Sequence, residues 1–208
     1  MSITLDDETV ISVRGKVDRV DKLERDGSFY IRIVDYKSGK KEFKINDINF
    51  GLNLQMLIYL KAIAQNGEKR FKHKITPAGV LYMPAAPNLV SDTQGEEEID
   101  KSYAMDGVIV DDGEEISQAM KKDGKYIKAK SVMSQSDLKS CFDKIDTLII
   151  HMVKSLMSGR INTLPVKSSD SDACKYCPYG SSCGFESGMD SVNLKDISKS
   201  PVYNGEEV

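Results

Sequence analysis

No stretch of this sequence is apolar for long enough to make a membrane-spanning helix, because its apolar runs are short and interrupted by charge. Nor does the chain open on a basic segment followed by an apolar one, so no secretion signal and no membrane association are expected, and the expected location is the cytoplasm. An excess of one charge is also lacking: 29 basic and 32 acidic side chains leave a net charge of −3, too little to attract a polyanion globally. Any contact with nucleic acid must then be local. Glycine-rich nucleotide signatures are missing too. The run from Val34 to Lys41 has valine at the first glycine position of a phosphate loop and Lys41 at its Ser/Thr position, and neither Gly-x-Gly-x-x-Gly nor Gly-x-Ser-x-Gly occurs. Histidine is scarce: His73 and His151 stand alone and are read as structural or solvated. Cysteine is limited to four residues, which in a chain of this kind suggests metal or redox chemistry more than disulfides.

What is present is enough for one sizeable core, since 40% of 208 residues are hydrophobic. Ile3 to Leu5 and Val10 to Val20 flank Asp6-Asp7-Glu8 and read as a hairpin, and Ser28 to Tyr36 alternates as a third strand after the turn Glu24-Arg25-Asp26-Gly27. From about Asn49 to Gln65 the period becomes helical, through Leu52, Met56, Tyr59, Leu60 and Ile63, with Asn66-Gly67 as the stop. Ala78 to Met83 reads as a short buried strand. Pro84 to Lys130 is polar and turn-rich, with an acidic patch at Glu96 to Glu98 and an exposed hairpin around Asp123-Gly124. A long helix is expected from Ser136, its N-cap, to Ser158, stopped by Gly159, with Leu138, Phe142, Ile145, Leu148, Ile149, Met152 and Leu156 as its apolar stripe. Asn162 to Ser171 reads as loop, and the tail after Met189 as polar and frayed. Lysines cluster at Lys37, Lys40, Lys41 and Lys44, at Lys69 to Lys74, and at Lys121 to Lys130; each cluster alone reads as a solvated face.

The most informative residues are Asp35 and Lys37. Side chains two apart on a strand share a face, so a carboxylate and an ammonium lie together while Tyr36 points away. Alone, that pair is as readily a solvated ion pair. Asp18, in Gly15-Lys16-Val17-Asp18-Arg19-Val20-Asp21, lies one strand earlier, and pairing of the two strands brings both carboxylates to one cation. Magnesium, or manganese in its place, takes oxygen ligands, one or two of them carboxylates, and the Tyr36 carbonyl is a further candidate. Lys37 would stabilise charge on the nucleophile or phosphorane. Gln55 and Tyr59, four apart on the following helix, would hydrogen-bond a phosphate oxygen or metal-bound water, the alternative being a packed helix border.

In this order, Gly15-x-x-Asp18-Arg19-Val20-Asp21, Asp35-Tyr36-Lys37-Ser38-Gly39 and Gln55-x-x-x-Tyr59 resemble the RecB-type PD-(D/E)xK nucleases over most of residues 1 to 85. The resemblance implies an α/β restriction-endonuclease-like core, a mixed central sheet with flanking helices, over 1–133. A C-terminal helical, cysteine-rich segment follows over 134–208. It implies magnesium-dependent hydrolysis of DNA by an exonuclease domain, with Asp18, Asp35 and Tyr36 on the metal and Lys37, Gln55 and Tyr59 at the reacting phosphate.

Cys174, Cys177 and Cys183 give Cys-x2-Cys-x5-Cys. This is similar to part of the iron-sulfur segment of AddB subunits in AddAB-type helicase-nucleases, and of related CRISPR adaptation exonucleases. It implies a 4Fe-4S cluster held by these three and an upstream cysteine, an AddA-like partner subunit, and processing of double-strand breaks for recombination. No cysteine precedes Cys141, which lies on the apolar stripe of the long helix and is read as a small hydrophobe. The expected cluster is therefore absent, partial or labile, with zinc on three cysteines as the alternative. The missing cysteine, and the missing helix before the first strand, are what a C-terminal piece of a longer AddB-like protein would show. The rival functions are an inactive DNA-binding clamp and a standalone CRISPR-type exonuclease.

Overall fold

The computed structural model describes residues 1–39, 41–85, 105–111, 121–122, 125–126, 131–160, 165–167, 172–175, 177–183, 185 and 195–196. They divide into two units, Met1–Ile150 and His151–Val208. In the first, Ser2–Thr4 (β1) and Val10–Ser12 (β2) make a small antiparallel hairpin of their own. The long second strand expected from Val10 to Val20 is thus two strands, the other being Arg19–Arg25 (β3). β3 turns directly into Ser28–Lys37 (β4), with Arg25 paired to Ser28. Asp26 and Gly27 alone form the loop, at φ 49° and 71°, the positive pair that a two-residue hairpin matching strand twist requires.

After β4 the chain makes a 3-10 turn, Ile45–Phe50, and a helix, Leu54–Phe71 (α1), before Lys74–Pro84 (β5) pairs parallel to β4. The helix starts later and ends later than expected. Asn66-Gly67 does not stop it: Gly67 is buried, and a Cβ there would lie 2.8 Å from Ile75 Cγ1, so the glycine serves close packing of helix on sheet. The stop is Lys72, at φ 59°, whose N–H donates to the Glu68 carbonyl at 2.9 Å. β5 is also longer than the Ala78–Met83 strand expected, and Pro77 sits beside the bulge at Ile31/Arg32, where a missing N–H is tolerated.

Asp106–Val110 (β6) pairs antiparallel to β5, correcting the reading of 84–130 as uniformly polar and turn-rich: Gly107 to Val110 are buried. Lys121–Lys122 (β7) and Lys125–Tyr126 (β8) pair as the arms of a hairpin, and Ser131–Met133 (β9) joins β6 in parallel. The sheet order β3-β4-β5-β6-β9 is mixed, as expected. Glu96 to Glu98 and Asp123-Gly124 lie outside the described residues.

The β5–β6 contact depends on glycine. A Cβ on Gly107 would stand 2.0 Å from the Val80 carbonyl oxygen, a backbone atom that cannot swing aside. Gly107→Ala is expected to lower stability by about 3 kcal/mol, read as a fall in the urea midpoint at constant slope; an unchanged midpoint would mean that the strands part there without loss.

The long helix spans Gln135–Met157 (α2). Its cap is Ser134, ahead of the expected Ser136: Ser134 Oγ accepts from the Asp137 N–H at 3.1 Å, and Asp137 Oδ2 accepts from the Ser134 N–H at 3.2 Å. Gly159, at φ 74°, lies just past its end as expected. The apolar stripe is buried at Leu138, Ile145 and Ile149, whereas Met152 and Leu156 are exposed. The core joins Ile31 and Ile33 of β4, Met56, Leu57 and Leu60 of α1, Val80 and Leu81 of β5, and Val108 and Ile109 of β6. Beyond α2, Val166–Lys167 (β10) pairs with Lys195–Asp196 (β11) inside a stretch expected to be loop and tail, and Gly180–Cys183 (α3) is a short turn of helix. The rest of the expected loop at 162–171, and of the tail after Met189, lies outside the described residues. No helix among the described residues is long and apolar enough to cross a membrane.

Candidate active site

Strand alternation puts Phe29, Ile31, Ile33, Asp35 and Lys37 on one face of β4. The first three are buried in the core, so Asp35 is carried in behind them and is only 6% exposed. Lys37 forms an ion pair with its Oδ2. The pair lacks hydrogen-bond geometry, however, and Asp35 Oδ2 is buried without a hydrogen-bond partner. A carboxylate oxygen held this way has lone pairs for another electrophile.

The antiparallel register ends with Arg19 opposite Val34, so Asp18 directly precedes β3 at the end where Asp35 follows Val34. Asp18 Oδ2 accepts from the Tyr36 N–H at 3.3 Å. Because N–H and C=O of one strand residue leave it on the same side, the Tyr36 carbonyl also faces the end of β3 that carries Asp18. The Lys37 carbonyl, by alternation, turns the other way and accepts from the Ala85 N–H at 2.8 Å. The Asp18 carboxylate and the Tyr36 peptide thus meet at the end of the β3–β4 pair where Asp35 also lies.

Asp21, in the same sequence run as Asp18, falls on the opposite face. Arg19 Nε holds it at 2.6 Å and Arg32 at 2.5 Å. Burial works to raise its carboxyl, but the hydrogen bonds from Arg32 and Arg19 outweigh that and hold it below the usual carboxylate range. It is a structural pair, not part of the site.

Gln55 and Tyr59 share one helix face as expected, with Gln55 Nε2 donating to the Tyr59 hydroxyl at 3.1 Å. Neither bonds Asp18, Asp35 or Lys37. Tyr59 nevertheless reaches the loop that carries Asp18, since a Cβ on Gly15 would lie 2.4 Å from its ring. That close approach gives the glycine at position 15 a physical reason.

Two neighbours of Asp35 were not legible as such in the sequence. Tyr82 of β5 stands in register with Asp35 and is 5% exposed. Burial, then the negative charges of Asp35 and Asp47, push its phenol up to about 12, so it is neutral at physiological pH. Lys41, which by composition belongs to a solvated lysine face, places its ammonium 5.2 Å from the centre of the Tyr82 ring, while the Lys37 ammonium lies 5.5 Å from the same centre. Partial burial of the Lys41 ammonium, followed by repulsion from Lys37, lowers the Lys41 pKa, with Asp35 and Asp47 opposing. Only the β4–β5 register reveals Tyr82; no local pattern does.

The cysteines are all free. Cys141 is half-buried in α2, and burial, then Asp137, raises its thiol, as suits a small hydrophobe. Cys174, Cys177 and Cys183 are exposed on consecutive turns: Asp172 Oδ1 accepts from the Cys174 N–H at 2.9 Å, and the Cys174 carbonyl from the Cys177 N–H at 3.2 Å. Tyr176 lies outside the described residues. Among the described residues, no group of three or more His, Cys, Asp or Glu side chains is gathered as a metal cage. Three exposed thiols do not meet the four-thiolate demand of a 4Fe-4S cluster. His73 stacks on Phe29 at 4.0 Å with Nδ1 2.8 Å from the Phe71 carbonyl, a structural placement, and His151 is exposed.

Asp18, Asp35 and Lys37 at the end of a mixed sheet carry the pattern noted in the sequence, and the sequence model of the PD-(D/E)XK nuclease superfamily matches residues 2–184. The chain belongs to that superfamily. This PD-(D/E)XK domain is also homologous to AddB-type subunits of ATP-dependent helicase/deoxyribonucleases. It is 36% identical over 210 residues to that of Clostridium kluyveri, covering 91% of this chain and 18% of the relative. With that of Clostridium botulinum it shares 35% over 198 residues, 85% of this chain and 17% of the relative. With that of Thermoanaerobacter sp. it shares 30% over 227 residues, 98% of this chain and 20% of the relative. The PD-(D/E)XK domain therefore spans no more than 20% of the length of these relatives.

Proposed function

We propose that this domain hydrolyses DNA phosphodiesters with magnesium, or manganese in its place, bound by Asp18, Asp35 and the Tyr36 carbonyl. The observation that carries the reading is the buried Asp35 carboxylate, whose Oδ2 has no hydrogen bond beside Lys37, with Asp18 accepting from the N–H of the next residue, Tyr36. Two carboxylates and a carbonyl are the hard oxygen donors such a cation takes, with water and substrate phosphate completing its shell. When bound, the cation supplies a water of lowered pKa and a polarised phosphate. Lys37 stabilises negative charge on the attacked phosphate, and Gln55 with Tyr59 orients the substrate from α1.

The wider reading follows from the relatives. The domain is the exonuclease part of a cytoplasmic AddAB-type helicase-nuclease, works with an AddA-like partner, and trims DNA at double-strand breaks for recombination. In this reading 1–133 is the nuclease core and 134–208 the C-terminal segment. Cys174, Cys177 and Cys183 are the thiols that a 4Fe-4S cluster of the full-length protein would draw on, absent or partial in this chain, and the cluster has no part in the reaction proposed.

The test is cleavage of end-labelled single-stranded DNA by the chain in magnesium, in manganese and in EDTA. Cleavage in either metal, abolished by EDTA, is expected. Binding of the same DNA without cleavage in either metal would make the domain a clamp instead.

A further inference from the structure

We propose that Lys41 is a second phosphate-binding residue of this site, a positioning group that holds the DNA backbone beside the phosphate engaged by Lys37. The inference rests on the nuclease reading and deepens it.

Lys37 and Lys41 do not have the same surroundings. Lys37 has Asp35 as its counter-ion. Lys41 makes no hydrogen bond or ion pair among the described residues; its contact is the face of Tyr82. The nearby carboxylate of Asp47 accepts from Asn53 Nδ2 at 2.6 Å and does not close an ion pair with Lys41. The ring that both ammoniums approach is itself fixed, buried in β5 with Phe43 6.2 Å away, centre to centre. Lys41 is exposed, yet its ammonium lies over the same ring as a second ammonium, an arrangement that costs free energy through like-charge repulsion.

A polyanion offsets that cost. One phosphate at Lys37 and its neighbour along the strand at Lys41 would neutralise both ammoniums, which approach the same ring. Because a point charge on a flexible stem reads charge rather than base, the contact is sequence-independent. Its part is to fix where the strand lies relative to Asp18 and Asp35.

The experiment measures binding of a fluorescent single-stranded oligonucleotide to the chain in EDTA across a salt series, for wild type, Lys41→Gln and Lys41→Arg. Steady-state cleavage in magnesium is measured beside it. Loss of one phosphate contact should flatten the slope of log affinity against log salt by about 0.7. Affinity at fixed salt should fall by about five- to tenfold, and the cleavage defect should fall mainly on KM. Lys41→Arg, which keeps the charge, should restore the slope. An unchanged slope in Lys41→Gln overturns the inference while leaving the nuclease reading intact, since that reading is judged by metal-dependent cleavage in wild type. A slope flattened equally in Lys41→Arg also overturns it, because the effect would then come from altered packing on Tyr82. If wild type neither binds nor cleaves the oligonucleotide, both fall together.

Discussion

Lys37→Ala is expected to lower metal-dependent cleavage of end-labelled DNA by about 10²- to 10³-fold, the loss typical of removing one group that stabilises charge developing in a transition state. In the proposed site the side chain lies beside the attacked phosphate; it is paired with Asp35 and lies over the Tyr82 ring. The same substitution has a second consequence. Lys37 is the counter-ion of a carboxylate whose Oδ2 has no hydrogen bond, so its removal leaves a buried charge uncompensated. A divalent cation bound at Asp35 would supply the missing positive charge. Magnesium should therefore raise the melting temperature of Lys37→Ala by more than it raises that of wild type, while cleavage by the variant stays low at saturating metal. Cleavage at the wild-type rate would remove Lys37 from the site. Equal melting shifts in the two proteins would argue that the cation binds elsewhere.

The second large effect lies away from the chemistry. Lys61 of α1 is 3% exposed, and its ammonium donates to the Phe142 carbonyl at 2.7 Å and pairs with Asp146 Oδ2 at 2.5 Å, both on α2. Asp146 is partly open to water, with a side chain 32% exposed, but Lys61 is not. Asp146→Ala therefore strands a buried ammonium with one carbonyl for company and should cost about 3 kcal/mol, at the lower end for breaking a buried pair. The double variant Lys61→Met/Asp146→Leu removes both charges and keeps the volume, and should return to within about 1 kcal/mol of wild type. Urea midpoints at constant slope read both values. A cost below about 0.5 kcal/mol for Asp146→Ala would show that water reaches the ammonium and that the pair contributes little.

This buried pair also shows where periodicity misleads. Lys61 stands outside the stripe of Leu52, Met56, Tyr59, Leu60 and Ile63, and only the approach of Phe142 and Asp146 from α2 explains its burial. Gly67 is a similar case: beside Asn66 it carries the composition of a helix stop, yet the helix continues because Ile75 leaves no room for a side chain. Ser136 is an acceptable cap by composition, but Ser134 has Asp137 three residues on and completes the reciprocal pair. β6 was hidden because five residues, Asp106 to Val110, sit within a long polar stretch whose composition outweighs them.

Local alternation and turn chemistry were enough to pair Asp35 with Lys37 and to return β3 alongside β4. Asp35 and Lys37 share a face because side chains two apart on any strand do, and Asp26-Gly27 commits β3 and β4 to pair, which leaves Asp18 at the strand end that holds Asp35. Gln55 and Tyr59 meet because four residues make about one helical turn. These relations need only bond geometry within a segment or across one tight turn. The rest depends on segments distant in the chain. Tyr82 beside Asp35, Lys41 over the Tyr82 ring, Tyr59 against Gly15 and Asp21 turned to the far face are set by which strand pairs with which and in what register. Register is decided when the whole hydrophobic set of Ile31, Ile33, Leu57, Leu60, Val80 and Ile109 is buried at once, and a slip of one residue would turn every side chain of a strand to the wrong face.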